Sequence, residues 1–144
     1  MACPYFYPVE REQRGTSNIY PLPLGDAWNG VCRASAGCNP EPDSAQWCSL
    51  GYARGRCRHF PGEDSGPDAV RFAISRDDGV RIELYYVLER DHLPFAHGPL
   101  EYSLAAAQFT RAPIAETLLR QAEAYVLSYL RRTKEAADPR RASQ

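Results

Sequence analysis

Residues 69–90 read AVRFAISRDDGVRIELYYVLER, and this stretch decides the fold. Apolar and polar side chains alternate on both sides of Asp78-Gly79, as in two antiparallel strands joined by a tight turn. A two-residue Asp78-Gly79 turn would set Ser75 and Ala73 against apolar residues of the second strand. A three-residue loop with Gly79 in the left-handed region pairs apolar with apolar residues, so we expect that loop. The pairs it predicts are Ile74 with Ile82, Phe72 with Leu84, and Val70 with Tyr86.

The clearest helix signal follows at residues 111–134, where apolar side chains recur at three- and four-residue spacing. Thr110 is a suitable N-cap, Pro113 is tolerated in a first turn, and the basic residues near the C-terminal end complement the helix dipole. One apolar row contains Ile114, Leu118, Tyr125 and Tyr129, and the next contains Leu119, Ala122, Val126 and Leu130. Between the hairpin and the helix, two prolines and a glycine predict a loop over residues 91–100. The sequence leaves Glu101–Phe109 open between a short helix and an edge strand.

A hairpin with one apolar face and a helix with one apolar stripe can bury each other. The sequence therefore predicts an α+β fold, with a hairpin-plus-helix core (69–135) built from the hairpin at about 69–90 and the helix at about 111–134. An irregular, cysteine-rich N-terminal half (1–68) would pack on this core, and residues 136–144 would form a frayed tail. A chain of 144 residues is expected to be a single domain, 1–144.

Charge and hydropathy exclude several partners and compartments. The net charge is −1 and the pI is about 6.3, so the whole chain offers no electrostatic attraction to nucleic acid or to an anionic membrane. The N-terminus lacks the basic and apolar regions of a secretory signal, and no run approaches the roughly 20 apolar residues of a membrane span. We therefore expect a cytoplasmic protein without membrane contact. In that reducing compartment, clustered cysteines bind metal more often than they form disulfides.

All five cysteines lie between Cys3 and Cys57, in a stretch rich in glycine, proline and scattered aromatic residues. Such a segment cannot easily be stabilised by side-chain packing alone, so we expect its cysteines to provide a stabilising cross-link. The spacing is Cys3-x28-Cys32-x5-Cys38-x9-Cys48-x8-Cys57, without the closely spaced pairs of zinc knuckles. A cubane iron–sulfur cluster is wider and can be reached from separate loops. Pro4 follows Cys3, as a proline follows the last cysteine of the bacterial ferredoxin run.

The predicted ligands of a 4Fe–4S cluster are Cys3, Cys32, Cys48 and Cys57. Cys38 is left as the spare, because it lies in the loosest loop, between Gly37 and Asn39-Pro40. Cys48 is expected on the last turn of a short helix at 42–50. Three arginines would offset the negative charge of the cluster, and the surrounding aromatic rings would exclude water. Zinc, and cysteines without a ligand role, stay open as alternatives, as does His59 as a ligand. The three arginines are Arg54, Arg56 and Arg58.

The functional hypothesis that follows is a small iron–sulfur protein, acting in electron transfer or as an accessory subunit of a redox enzyme, with a protein partner. The alternative is a zinc-stabilised module that contacts protein or nucleic acid through Arg54, Arg56 and Arg58. An enzyme using His92 and His97 is a third hypothesis. It is not favoured, because a Pro/Gly-rich loop carries both residues and no nucleophile or carboxylate pair is spaced to join them.

Overall fold

The computed structural model describes residues 2–11, 23–34, 48, 57, 60, 66–111 and 114–137. Two antiparallel sheets and a long helix make up this part of the chain. The smaller sheet pairs β1 with β2, and the larger one has the order β3-β4-β5-β6. The strands and the helix are β1 (Phe6–Arg11), β2 (Trp28–Cys32), β3 (Ala69–Asp77), β4 (Arg81–Arg90), β5 (Leu93–Ser103), β6 (Gln108–Arg111) and α1 (Glu116–Ala137).

The predicted α+β class is wrong, because the described residues are mostly β and the core is a four-stranded sheet rather than a hairpin. The expected loop after residue 90 is β5, and the undecided stretch Glu101–Phe109 contributes to β5 and β6. The N-terminal half is also less irregular than expected, since β1 and β2 pair in it. A hairpin alone leaves the backbone N–H and C=O groups on one edge of β4 unpaired. Strand β5 pairs with that edge along its whole length.

A turn without glycine explains why β5 is hard to see in the sequence. Asp91 and His92 both have positive φ, 52° and 64°, as a two-residue hairpin turn requires. The Asp91 N–H donates to Asp68 Oδ2 at 2.9 Å, which helps hold this conformation. Pro94 and Pro99 are tolerated because, among the described strands, β6 pairs only with residues 101–103 of β5. The outer side of β5 before that point needs no proline N–H.

The β3–β4 turn follows the prediction in conformation but not in register. Asp78–Val80 separate the two strands, and Gly79 has a φ of 82°. Asp77 pairs with Ile82 at the turn, and a bulge between Ile74 and Arg76 shifts the pairing by one position, so Ile74 lies opposite Leu84 rather than Ile82. Apolar residues still face apolar residues, as burial of one sheet face requires. The other observed pairs are Phe72 with Tyr86 and Val70 with Leu88.

The core lies between the large sheet and α1, with part of the N-terminal half closing one side. Helix α1 begins at Glu116 rather than near 111, because β6 continues to Arg111. The ring centroids of Phe72 and Tyr125 are 5.6 Å apart across this layer. The buried core residues from the sheet are Val70, Phe72, Ile82, Leu84, Leu100 and Tyr102, those from the helix are Ala122, Ala124 and Val126, and those from the N-terminal half include Phe6, Leu24 and Trp28.

Polar side chains of α1 attach the N-terminal half to the helix. The buried Ser128 hydroxyl accepts from the Asp26 N–H and from the Trp28 indole N–H, each at 3.2 Å, and donates to the Ala124 carbonyl at 2.9 Å. One donor and two acceptor sites of this hydroxyl are thus all used. Arg120 donates to the carbonyls of Pro8 and Val9 at 2.7 and 2.8 Å, at the bulge in β1.

The Asp26 carboxylate forms the second attachment. Arg131 Nε lies 2.8 Å from Asp26 Oδ2, and a second Arg131 nitrogen binds Oδ1. Arg132 binds the Gly25 carbonyl, and its guanidinium lies 3.6 Å from the Asp26 carboxylate. Burial alone would raise the pKa of Asp26, but the bond and charge of Arg131 and the charge of Arg132 outweigh it and lower that pKa.

Candidate metal centre

Cys3 occupies the first position of a tight turn that three other parts of the chain hold in place, namely β3, Cys48 and α1. Ala2 forms an antiparallel bridge with Val70, with both hydrogen bonds at 2.8 Å, which ties the N-terminus to the edge of β3. The Cys3 N–H donates to the Cys48 carbonyl at 2.9 Å. The Phe6 N–H closes the turn on the Cys3 carbonyl at 3.1 Å, with Pro4 at the position where turns favour proline.

Gln121 of α1 fixes the same turn from the other end of the chain. Its side-chain nitrogen Nε2 donates to the Cys3 carbonyl and to the Phe6 carbonyl, both at 2.7 Å. The residue is fully buried. The backbone of Cys3 is therefore positioned by contacts with β3, with Cys48 and with α1, and the direction of its Cα–Cβ bond follows from that placement.

Two further cysteines reach this turn from separate segments. Cys32 ends β2 opposite Phe6 of β1, and the next residue, Arg33, donates its N–H to the Tyr5 carbonyl at 2.8 Å. Cys48 is buried and helical, consistent with its expected place in a short helix, although the rest of 42–50 lies outside the described residues. The pairing of β1 with β2 and the Cys3–Cys48 bond thus place both residues next to the turn.

A contact between two aromatic rings links the Cys57 segment to the Cys3 turn. The Phe60 N–H donates to the Cys57 carbonyl at 3.2 Å, and the rings of Phe60 and Tyr5 meet edge to face with centroids 5.4 Å apart. Cys57 itself is half-buried and packs against the core cluster. The aromatic pair thus connects the Cys57 segment to the turn that contains Cys3 and Tyr5.

The pKa of Cys3 is the electrostatic feature that involves all four predicted ligands. The pKa of the Cys3 thiol is strongly raised, first by burial and then by the negative charges of Cys48, Cys32 and Cys57. Each of these four side chains is a thiol rather than half of a disulfide. A thiolate at Cys3 is thus unfavourable unless a positive charge lies beside it. Cys38 lies outside the described residues.

A single-ion site does not follow directly from this geometry. Among the described residues, no group of three or more His, Cys, Asp or Glu side chains is arranged to hold a metal ion. His92 lies exposed in the β4–β5 turn, and His97 lies exposed on β5 opposite Val87. The candidate ligand His59 and the candidate basic patch of Arg54, Arg56 and Arg58 lie outside the described residues.

Comparison with known proteins adds no assignment: no protein-family model matches the chain, and neither the curated proteins nor the solved structures give a significant match. Within the described part of the chain, no helix is both long enough and apolar enough to cross a membrane.

Sequence reasoning overlooked Gln121 and Ser128, which connect the helix to the cysteine-bearing half. Both continue an apolar row, since Gln121 follows Ile114 by seven residues and Ser128 follows Gln121 by seven. Polar residues on a buried helix face need hydrogen-bond partners. That position on the helix was the available signal, but the identity of the partners depends on tertiary contacts with residues 100 and 118 positions away in the sequence.

Proposed function

We propose that the protein carries a 4Fe–4S cluster bound by Cys3, Cys32, Cys48 and Cys57, and that it serves in electron transfer or as an accessory subunit of a redox enzyme. The observation that supports the proposal is the placement of two other cysteines beside the Cys3 turn: Cys32 lies opposite Phe6, and the Cys48 carbonyl accepts from the Cys3 N–H at 2.9 Å. The charges of Cys48, Cys32 and Cys57 also raise the pKa of Cys3. The four cysteines come from positions 3, 32, 48 and 57, which include a turn, a strand end and a helical residue.

The charge balance of the site supports a metal centre. Four thiolates close together repel one another, and Cys3 and Cys48 are buried, with exposed fractions of 6 % and 8 %. Metal ligation requires deprotonated thiols, and the metal supplies the positive charge that stabilises them. Without a metal, Cys3 stays protonated at neutral pH because of its raised pKa. The buried Cys3 thiol is therefore better suited to ligation than to acid–base chemistry.

Iron–sulfur is preferred to zinc because of how the ligands are distributed. Zinc draws four ligands to within about 2.3 Å of one ion, which closely spaced cysteine pairs achieve most easily. In a cubane each thiolate binds its own iron, so single cysteines from four separated positions suffice. The protein supplies such single cysteines, and the Tyr5–Phe60 pair would exclude water from one side of the cluster.

The first experiment is metal analysis of protein prepared without oxygen. We expect about four iron and four sulfide per chain, a brown colour, and a visible absorbance that bleaches on reduction. One zinc per chain with no visible absorbance would support the alternative, a zinc-stabilised interaction module. Protein that binds neither metal after anaerobic reconstitution would overturn both readings.

A matched pair of cysteine variants tests the ligand assignment. We expect Cys48→Ala to lose the visible absorbance and most of the iron, because one iron would lack its thiolate. We expect Cys38→Ala to keep both, since Cys38 is assigned as the spare. Metal content and the spectrum after identical reconstitution provide the measurement. An intact spectrum for Cys48→Ala together with a lost one for Cys38→Ala would show that the assignment of ligands is wrong.

A redox role also implies a protein partner that approaches near the cluster. Cys32 and Cys57 are half-buried, so the cluster would lie closest to solvent on their side. The neighbouring residue Val31 is 38 % exposed, and the guanidinium of Arg33 lies 4.1 Å from the centre of the Tyr7 ring. We propose that a redox enzyme docks over this face in the cytoplasm. An Arg33→Glu variant should then slow electron transfer to that enzyme while the visible spectrum stays unchanged.

A further inference from the structure

One buried amide connects the helix to the first cysteine. Both Nε2 protons of Gln121 are used, on the Cys3 carbonyl and on the Phe6 carbonyl at 2.7 Å each. These two carbonyls belong to the ends of the same turn, which the Phe6 N–H closes on the Cys3 carbonyl at 3.1 Å. The Cys3 carbonyl therefore accepts two hydrogen bonds, and it has no lone pair left over to point elsewhere.

The hydrogen-bond network fixes the orientation of this amide. A flipped amide would set its oxygen against two carbonyl oxygens, so Nε2 must face the turn. The oxygen Oε1 is then buried, with no hydrogen-bond donor among the described residues. A buried acceptor in this state is unfavourable, and an apolar side chain at Gln121 would avoid it. The benefit that offsets this penalty must come from the two bonds to the Cys3 turn.

We infer that Gln121 is a positioning residue for the iron–sulfur site. Its two bonds hold the backbone of Cys3 in the orientation from which the thiolate would bind its iron. The inference rests on the proposed function. Residues that orient metal ligands affect affinity and reduction potential even though they never contact the metal.

The test compares Gln121→Met with the matched control Ser128→Ala. Methionine keeps the unbranched length and a high helix propensity but donates no hydrogen bond. Ser128 is also buried on α1 and also binds the N-terminal half, but its partners are Asp26 and Trp28. We expect Gln121→Met to bind its cluster about 10- to 100-fold less tightly, measured as iron transfer to a chelator. Its reduction potential and the electron paramagnetic resonance spectrum of its reduced cluster should also change.

The control separates positioning from general stability. Ser128→Ala should lose thermal stability comparably, but its potential and its spectrum should match those of the wild type. Identical cluster properties in Gln121→Met and the wild type would overturn the inference and leave the proposed function standing. So would equal changes in both variants, in proportion to lost stability. A wild-type protein that holds no iron would instead overturn the proposed function, and this inference with it.

Amide hydrogen exchange of the metal-free protein gives a readout independent of iron. Loss of the Gln121 bonds should speed exchange at Cys3 and Phe6, whose N–H groups hold the turn, by at least about tenfold. Ser128→Ala should leave these two amides unchanged. Equal protection of the turn in Gln121→Met and the wild type would overturn the positioning role.

Discussion

Substitution of Gly25 by alanine tests how the N-terminal half docks on the helix. Gly25 has a φ of 87°, and a Cβ added there would lie 2.4 Å from Ser128 Cβ and 3.0 Å from Ser128 Oγ. Ser128 is fully buried on α1 and cannot move aside without moving the helix. The added methyl group would therefore push the Gly25–Asp26 segment away from Ser128.

The expected loss follows from two terms. An L-residue in the left-handed region costs about 1–2 kcal/mol, and overpacking at a buried contact costs about 1–3 kcal/mol. Gly25→Ala should therefore lower the free energy of unfolding by about 2–5 kcal/mol. Gly79→Ala is the matched control, because Gly79 has a φ of 82° but nothing within 4 Å of its added Cβ. That variant should lose only about 1–2 kcal/mol.

Urea unfolding followed by circular dichroism measures both variants under the same conditions. The difference between them isolates the packing term, because the change in unfolded-state entropy is common to both. Equal losses for Gly25→Ala and Gly79→Ala would refute the close contact with Ser128. A second check is Ser128→Gly, which removes the clashing Cβ. In the Gly25→Ala background it should cost less than in the wild type.

Two further predictions concern charge and turn conformation. The pKa of Asp26 is lowered in the folded protein, so its stabilising contribution is fully present above the ordinary pKa of 3.8 and is lost as the pH falls through the lower folded value. Asp26→Asn should therefore destabilise the protein at pH 7 and flatten the loss of stability on acidification, measured by urea unfolding at several pH values; parallel pH profiles would contradict the Arg131 pairing. His92→Gly should raise the thermal midpoint, with a gain of up to about 1 kcal/mol, because His92 has a φ of 64° in a turn that favours glycine. A lower midpoint would show that the imidazole contributes more than the strain it carries.

The strands that could be predicted from the sequence are those in which apolar and polar residues alternate without interruption. Residues 69–90 alternate on both sides of a glycine turn, and β3 and β4 form there. In β5, Pro94, Gly98 and Pro99 conceal the same geometry, because proline and glycine are taken as signs of a loop. They are compatible with a strand whose outer side is largely uncovered by described strands, and strand order is a tertiary property.

The candidate site, like the fold, could be predicted only in part from the sequence. Cysteine count, compartment and spacing suffice to propose a metal and to choose four ligands from five. The contact that holds the backbone of the candidate ligand Cys3 cannot be deduced, because Gln121 lies 118 residues from Cys3 in the sequence. Helical periodicity predicted the apolar rows of α1, but it gave no reason to expect a buried amide and a buried hydroxyl beside them.

The attachment of the N-terminal half to the rest of the protein indicates what the proposed cluster would add to its stability. The large sheet, α1 and part of the N-terminal half share one apolar core. Directional bonds from α1 add to the hold on the cysteine-bearing half, and they come from Gln121, Ser128, Arg120 and Arg131. Each such bond contributes only about 1 kcal/mol net, while ordering the backbone of each residue costs about 1–2 kcal/mol. Four large buried apolar side chains, Phe6, Leu24, Trp28 and Phe60, offset part of that cost. A cluster bonded to four thiolates would supply the rest, so removal of iron should loosen the Cys3 turn before it affects the sheet.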